Sequence, residues 1–356
     1  MISMFGKRLG IVSASLAVVA AVAGCSSSEG SGSATGTAPA GKKFGTAAPT
    51  SGTSSASSSA SGSSSGTAPS GAASSAATPP AAKPPAHVPV APGSSSSGPS
   101  TQVPGYVAAD LVGGLLTWRP GAAGVELTGD DSAFAARFDP SAVRFVLHAG
   151  TQVPGGAGWP GGNTADTSGL LAGWNGGFLM ANNASWGGFY LGGRTTYGPL
   201  RTGTASEVFY KDGSMDVLAW PGGLPSTDVA GVRQNLALLI NDGKLATDLN
   251  GGTDADEHTW GFTNNSADVH GNRSGIGVTA DGKMVYAAVH GASPLQLAQY
   301  LQRAGAVRAM ELDINFTRPI FGTYAGGHWT KPAPWLGPAE RFTSGNERDF
   351  VVVYAR

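Results

Sequence analysis

Glu311 and Asp313 stand two residues apart in the run Val307-Arg308-Ala309-Met310-Glu311-Leu312-Asp313. An extended chain returns every second side chain to the same face, so the two acids lie together while Met310 and Leu312 face the other way. Two carboxylates on one face can divide acid and base work if their surroundings drive their pKa values apart. The spacing equally suits a surface pair, and Asp313 alone suits a cap on the polar turn Ile314-Asn315-Phe316-Thr317 that follows. Arg273, in His270-Gly271-Asn272-Arg273-Ser274, precedes the strand-like Gly275–Thr279. A guanidinium at a strand entrance can grip a phosphate through two parallel hydrogen bonds, or remain an exposed loop residue. In Trp174-Asn175-Gly176-Gly177-Phe178, two glycines let the backbone turn tightly and approach a ligand closely. The Asn175 amide can meet a sugar or a phosphate, and a plain turn after a strand fits the same five residues. His290, closing the run Met284–His290, reads as a proton donor or as a satisfied edge histidine.

The elements that must hold these residues are mostly strands. Asp212-Gly213, Asp242-Gly243 and Asp281-Gly282 each separate two apolar runs, and Asp-Gly tolerates the positive φ of tight hairpins. The flanking strands are expected at 207–211 with 215–220, 236–241 with 244–248, and 275–279 with 284–290. Further strands are expected at 143–149 and 349–354. One helix is predicted over 294–304: Ser293 caps it, Pro294 opens it, Leu295, Ala298, Leu301 and Gln302 recur at helical spacing, and Gly305 closes it. Strand 284–290, this helix and strand 307–313 form a β-α-β unit. If its strands run parallel, the crossover is right-handed and both strands end on one edge, where His290 and Asp313 lie. The fold class is therefore α+β, a strand-rich mixed sheet with several hairpins and a β-α-β unit around residues 284–313.

The N-terminal third carries different chemistry. Lys7 and Arg8 precede an apolar stretch, Leu9 to Ala23, too short for an ordinary membrane span. It ends in Val22-Ala23-Gly24-Cys25, which resembles a bacterial lipobox with Cys25 as the lipidated first mature residue. Residues 1–24 are then a lipoprotein signal peptide, and 25–104 a lipidated cysteine followed by a Ser/Ala/Gly/Pro tether without apolar period. Such a segment buries too little surface to offset its ordering entropy. Residues 105–356 suit one folded domain. Cys25 is the sole cysteine, so intrachain disulfides, cysteine metal sites and a cysteine nucleophile in that domain are excluded. With 22 basic and 23 acidic residues and no basic stripe, nucleic acid is excluded as an expected partner. No cofactor is expected. The acidic loop Asp254-Ala255-Asp256-Glu257-His258 leaves room for a divalent cation, although its spacing matches no calcium loop and a solvated loop explains it better.

The order of these segments resembles the phosphodiester glycosidase family. Asn175-Gly176-Gly177-Phe178, Arg273-Ser274-Gly275 with the hairpin at Asp281-Gly282-Lys283, the helix before Glu311-Leu312-Asp313, and Glu347-Arg348-Asp349 before the last strand are similar to that family's motifs in the same order, over about 165–356. The resemblance implies hydrolysis of a sugar-1-phosphodiester. It implies Asp313 and Glu311 as catalytic carboxyls, with Asp313 as acid/base or ligand holder, and Arg273 as the grip on the phosphate. It implies Asn175, Gly176 and Gly177 as contacts to substrate, here a sugar-phosphodiester of an envelope glycan, and His290, Asn315 and Arg348 are expected as further contacts. The chain departs from the family where Ile314-Asn315-Phe316-Thr317 replaces the usual Gly-Gly-Gly-Ser. β-branched and aromatic residues do not allow the close approach that glycines do, so another substrate, or a glycan-binding relative without turnover, is the alternative expectation. With Cys25 lipidated, the protein is expected outside the cytoplasm, tethered to the cell membrane.

Overall fold

The computed structural model describes residues 87–356 except 96–97, 123, 156–157, 181–185, 250–259, 262–269, 316 and 318. The signal peptide, Cys25, the tether up to residue 86, the acidic loop Asp254–His258 and Phe316 lie outside the described residues. In chain order the strands are β1 (Tyr106–Val107), β2 (Arg119–Pro120), β3 (Val125–Gly129), β4 (Ala133–Phe138), β5 (Val143–His148) and β6 (Leu170–Asn175). Then come β7 (Phe189–Leu191), β8 (Arg194–Thr196), β9 (Ala205–Tyr210), β10 (Met215–Ala219), β11 (Val229–Gln234), β12 (Leu238–Asn241) and β13 (Lys244–Ala246). The last third holds β14 (Gly271–Thr279), β15 (Met284–Ala292), helix α1 (Pro294–Arg303), β16 (Ala306–Ile314), β17 (Phe321–Ala325), β18 (His328–Thr330), the short helix α2 (Arg341–Ser344) and β19 (Phe350–Ala355).

These strands form three sheets: β1-β13-β12-β16-β14-β15-β4-β3-β2, β10-β9-β11-β7-β8, and β18-β17-β6-β19-β5. The strand-rich α+β class is as expected. All three Asp-Gly pairs make the hairpins read from the sequence, β9–β10, β12–β13 and β14–β15. At Asp242-Gly243 both residues take positive φ, 47° and 74°, which suits a two-residue turn matched to strand twist. Around 284–313 the two strands run parallel but do not pair. Each forms an antiparallel ladder with β14, which lies between them. The carboxyl ends of β15 and β16 therefore share one edge with the start of β14.

Helix α1 packs over this three-strand segment. Ser293 Oγ accepts from the Gln296 amide at 3.3 Å and Gln296 Oε1 accepts from the Ser293 amide at 2.8 Å, so two otherwise orphaned donors are satisfied reciprocally. Leu297, Ala298 and Leu301 are fully buried against Val285, Ala287 and Ala309. Each such leucine contributes about 1.5–3 kcal/mol by leaving water. The other face of the large sheet packs on the β6 sheet through Phe134, Phe138, Tyr286, Trp174, Phe145 and Phe321.

The segment 87–104, expected as the end of the tether, lies against the domain. The Ser226 amide donates to Pro89 O and the Ala91 amide to Leu224 O, both at 2.9 Å, and Thr101 is buried beside Thr204. Val90 packs beside Val208, Tyr210 and Trp220. Sequence composition hides this because the contacts are mainly backbone hydrogen bonds, which any residue type can make. Among the described residues no helix is long and apolar enough to cross a membrane.

Candidate functional site

The site grows from the edge where β14 begins and β15 and β16 end. Ser274 is its hub. The Asn175 amide donates to Ser274 Oγ at 3.2 Å, and the Asp313 amide donates to the same oxygen at 3.2 Å. Asn175 and Asp313, far apart in sequence, are thus brought together across the sheets. Arg273, next to Ser274, points to the opposite face.

The two carboxylates of Glu311-Leu312-Asp313 end in different surroundings. Glu311 is fully buried and ion-paired to Arg273 through Oε1. Burial raises its pKa to about 7 against the opposing pull of Arg273. Arg273 also donates Nε–H to Ala292 O and Nη2–H to Gly261 O, both at 2.9 Å, and Nη1–H to Trp260 O. With its side chain fully buried and its donors engaged by protein oxygens, Arg273 is not where a phosphate grip was expected. Asp313 is different: its side chain is 6% exposed, and its Oδ2 accepts from Arg348 Nη1 at 2.9 Å. Arg348 is 13% exposed and donates through Nη2 to Gly177 O. Asp313 Oδ1 also accepts the Ile314 amide at 3.0 Å, so it caps the following turn as well. Among the described arginine–carboxylate pairs at this edge, Asp313–Arg348 is the one that reaches solvent.

Asn175 is buried, and its amide is engaged internally. Its Oδ1 accepts from Tyr286 Oη at 3.2 Å and from the Ile320 amide at 3.0 Å, while its Nδ2 donates to Gly176 O at 2.7 Å. The glycines that follow are required by side chains of the protein itself. A Cβ on Gly176 would run into the Asp349 carboxylate, and one on Gly177 would lie 2.9 Å from the Arg233 guanidinium. Arg233 and Asp349 form a fully buried pair, Nε to Oδ2 at 2.8 Å, and Arg233 Nη2 donates to Phe178 O at 2.7 Å. The close approach read from Gly176-Gly177 is therefore present, with an internal ion pair as the approaching group.

His290 is exposed at the end of β15, edge-on to Trp335 with ring centroids 5.4 Å apart. Asn315 is exposed, and its Oδ1 accepts from the Thr317 amide at 3.0 Å.

Several residues of this region are absent from the sequence reading. Glu207 is fully buried beside Trp174, whose Nε1–H donates to it at 3.3 Å, and burial raises its pKa to about 8. The Asn235 amide donates to Glu311 O at 2.9 Å and Leu312 O at 3.1 Å, fixing the strand that carries Asp313. Tyr197 follows β8 with φ of 60°. Glu207 and Arg233 had one sequence signal: a lone charge inside an otherwise apolar strand must find a buried partner.

Residues 168–313 match the family model described as phosphodiester glycosidase, ending on Asp313, and this bears out the resemblance. No curated protein matches the sequence. Among solved structures, the chain is similar to the catalytic domain of zebrafish N-acetylglucosamine-1-phosphodiester α-N-acetylglucosaminidase auto-inhibited by its pro-peptide, with 17% identity over 72% of this chain and 89% of that one at a TM-score of 0.42. It is also similar to a protein from Synechocystis (15% identity, 68% and 61% covered, TM-score 0.34) and to an exported protein from Burkholderia pseudomallei K96243 (14%, 62% and 73%, 0.28).

Proposed function

We propose that this chain, whose residues 168–313 carry the phosphodiester glycosidase pattern, is a hydrolase that cleaves a sugar-1-phosphodiester of a cell-envelope glycan. The family match supports hydrolase-like chemistry; the substrate and its location are our reading. The observation that carries it is the Asp313–Arg348 pair, closed by Gly177 O, at the solvent-reaching end of an otherwise buried polar network. In such a reaction water replaces the phosphate at the sugar C1, the C1–O bond breaks, and a phosphomonoester leaves. A phosphate is a stable leaving anion, so charge stabilisation matters more than protonating it. Arg348 supplies that charge. Asp313 orients Arg348 and accepts the proton of the attacking water. Glu311 and Arg273 act from inside, fixing β16 and the carbonyls of Trp260 and Gly261, and do not touch the substrate. Gly176 and Gly177 shape the floor, and His290 and Asn315 stand on the rim.

The test is turnover of N-acetylglucosamine-1-phosphodiesters, then of teichoic-acid-like polymers, by wild type and Asp313→Asn. A positioned acid–base group contributes about 10²–10⁴-fold, and a loss of that size with the melting temperature held supports the assignment. Full turnover in the variant rejects it. A second reading, a glycan-binding protein without turnover, is favoured by the non-glycine residues Ile314-Asn315-Phe316-Thr317 in place of a glycine loop, and glycan binding by a wild type that turns over no phosphodiester would select it.

The anchor is proposed separately. Lipidation of Cys25 holds the protein at the membrane, because a lipoprotein cysteine carries two glyceride chains and stable anchoring needs more than one. Cys25→Ala is expected to move the protein into the soluble fraction. Its persistence in a salt-washed membrane pellet overturns the anchor.

A further inference from the structure

The run Val107-Ala108-Ala109-Asp110-Leu111-Val112-Gly113-Gly114-Leu115 is exposed at every position and carries one charge, Asp110. Seven large apolar side chains are exposed among the described residues, and four of them, Val107, Leu111, Val112 and Leu115, stand in this one segment, Val112 at 59% and Leu115 at 70%. Apolar side chains exposed singly need no explanation, whereas several gathered on one loop mark a contact surface.

The loop is held in place. Before it, Tyr106 pairs with Ala246 in the β1–β13 ladder and donates its hydroxyl to Leu238 O at 3.1 Å. After it, the Leu116 amide donates to Arg303 O at 2.9 Å, and Trp118 lies under the Arg137 guanidinium, 4.4 Å from its ring. In between, Gln302 Nε2–H donates to Ala109 O and Arg303 Nε–H to Gly114 O, both at 3.2 Å. Gly113 and Gly114 take positive φ, 83° and 70°, and turn the chain between Val112 and Leu115. The C-terminal end of α1 thus fixes the loop backbone while the apolar side chains stay outside.

We infer that this loop is a membrane-contact surface, with Leu111, Val112 and Leu115 entering the boundary between headgroups and acyl chains of a bilayer. Its surroundings fit that boundary. Tyr106 and Trp118, half-buried at the two ends of the loop, are amphipathic rings of the kind that settle at headgroup level. Arg303, bonded to the loop, and exposed Arg119, next to Trp118, put cations at its base where anionic headgroups stand. Asp110 opposes those headgroups, so the attraction comes chiefly from apolar surface leaving water. The same loop of a second copy would bring the same two cations. A lipid on Cys25, as proposed above, keeps the domain beside a bilayer, and a contact too weak to act from free solution acts at that effective concentration. A few apolar side chains bind reversibly, so Cys25→Ala still leaves a washed pellet.

The contact has an orientation. Helix α1 runs from the edge where β15 ends to the edge where β16 begins. The loop is bonded to the last residues of α1, so it lies at the opposite end of the sheet from Asp313. A domain resting on this loop turns the Asp313–Arg348 site away from the lipid, toward a polymer beyond the membrane. That consequence for substrate rests on the hydrolase reading; the contact itself does not.

Cys25 is the sole cysteine, so the full-length chain with Cys25→Ala accepts a single reporter. Val112→Cys and, as control, His328→Cys in exposed β18, each bearing an environment-sensitive fluorophore, are mixed with vesicles of phosphatidylglycerol and phosphatidylcholine in equal parts, with or without lipids carrying a nitroxide on the acyl chain. The expected result is a blue shift at position 112 that the nitroxide quenches, no shift at 328, and loss of the shift when Leu111→Ser and Leu115→Ser are added. The fluorophore reads its own surroundings, so vesicle binding through the apolar stretch 9–23 does not imitate this. No shift at 112, or an equal shift at 328, overturns the inference. A shift at 112 that grows with protein concentration in the absence of vesicles assigns the loop to contact between copies and overturns it as well. Loss of phosphodiester turnover bears on none of these readouts.

Discussion

Arg273–Glu311 and Arg348–Asp313 are the same chemical pair built twice on one strand end, and their surroundings give them different roles. The first is fully buried, while the second retains 13% and 6% exposure. In the first, the guanidinium's remaining donors go to the carbonyls of Ala292, Trp260 and Gly261, so it behaves as a clamp on backbone. In the second, the guanidinium keeps solvent access beside a single carbonyl. Residue type and strand position are alike, so what separates a structural ion pair from a candidate binding pair is which groups fill the remaining hydrogen-bond directions.

The sharpest way to break this comparison is to remove each arginine. Arg273→Ala leaves Glu311 buried without its cation and is expected to cost about 3–5 kcal/mol, read as a lower urea midpoint. Arg348→Ala removes the cation from Asp313, which keeps 6% exposure and the Ile314 amide, and is expected to cost less than Arg273→Ala does, while abolishing phosphate binding. Equal stability losses would erase the distinction. Next in size is Glu311→Gln. It keeps the shape and removes the charge, so turnover should fall by less than tenfold where Asp313→Asn falls at least a hundredfold; a larger loss would put Glu311 among the groups that act on substrate.

The smallest effect is a pH slope. Burial raises Glu207 to about 8, from an ordinary 4.5. Between these values the folded protein holds a proton that the unfolded chain has released, so stability falls as pH rises through that window. Urea midpoints should decline from about pH 5 to pH 8, and Glu207→Gln should flatten the decline. A wild type that gains stability over the same range, with no flattening in Glu207→Gln, would show that Glu207 is not held neutral.

The sequence made the local devices legible. Asp-Gly turns and the Ser293 cap are decided within a few residues, and each stands where it was read. The alternation that set Glu311 and Asp313 on one face does not hold: the ladder with β14 shifts register between Gly275↔Glu311 and Arg273↔Ile314, so Glu311 turns to Arg273 while Asp313 meets Arg348. Asp313 and Arg348 were also legible as candidates. Which groups they would face was not, because partner choice across sheets is a tertiary matter. Arg273 looked like a loop residue, but β14 begins two residues before it and carries it inward. Asn175 looked like a ligand amide, but Tyr286, Ser274 and Ile320, each more than a hundred positions away or nearly so, complete its hydrogen bonds. Gly176 and Gly177 signalled close approach without saying what approaches. Tyr197 gave no signal, since strain at one φ has no compositional trace.

Arg348 and Asp349 are neighbours on an extended backbone, so their side chains leave in opposite directions, one to Asp313 at the mouth and the other to Arg233 in the interior. This turns two consecutive residues into a proofreading device for assembly. A slip of β19 by one position against β6 that brought Arg348 to the place of Asp349 would set two guanidiniums against each other in a dry interior, and Asp313 would lose its cation. Sheet register is ordinarily specified by which face is apolar. Here that slipped register is rejected by charge as well, which a closing strand of nearly uniform apolar residues, Phe350-Val351-Val352-Val353-Tyr354, could not do by itself.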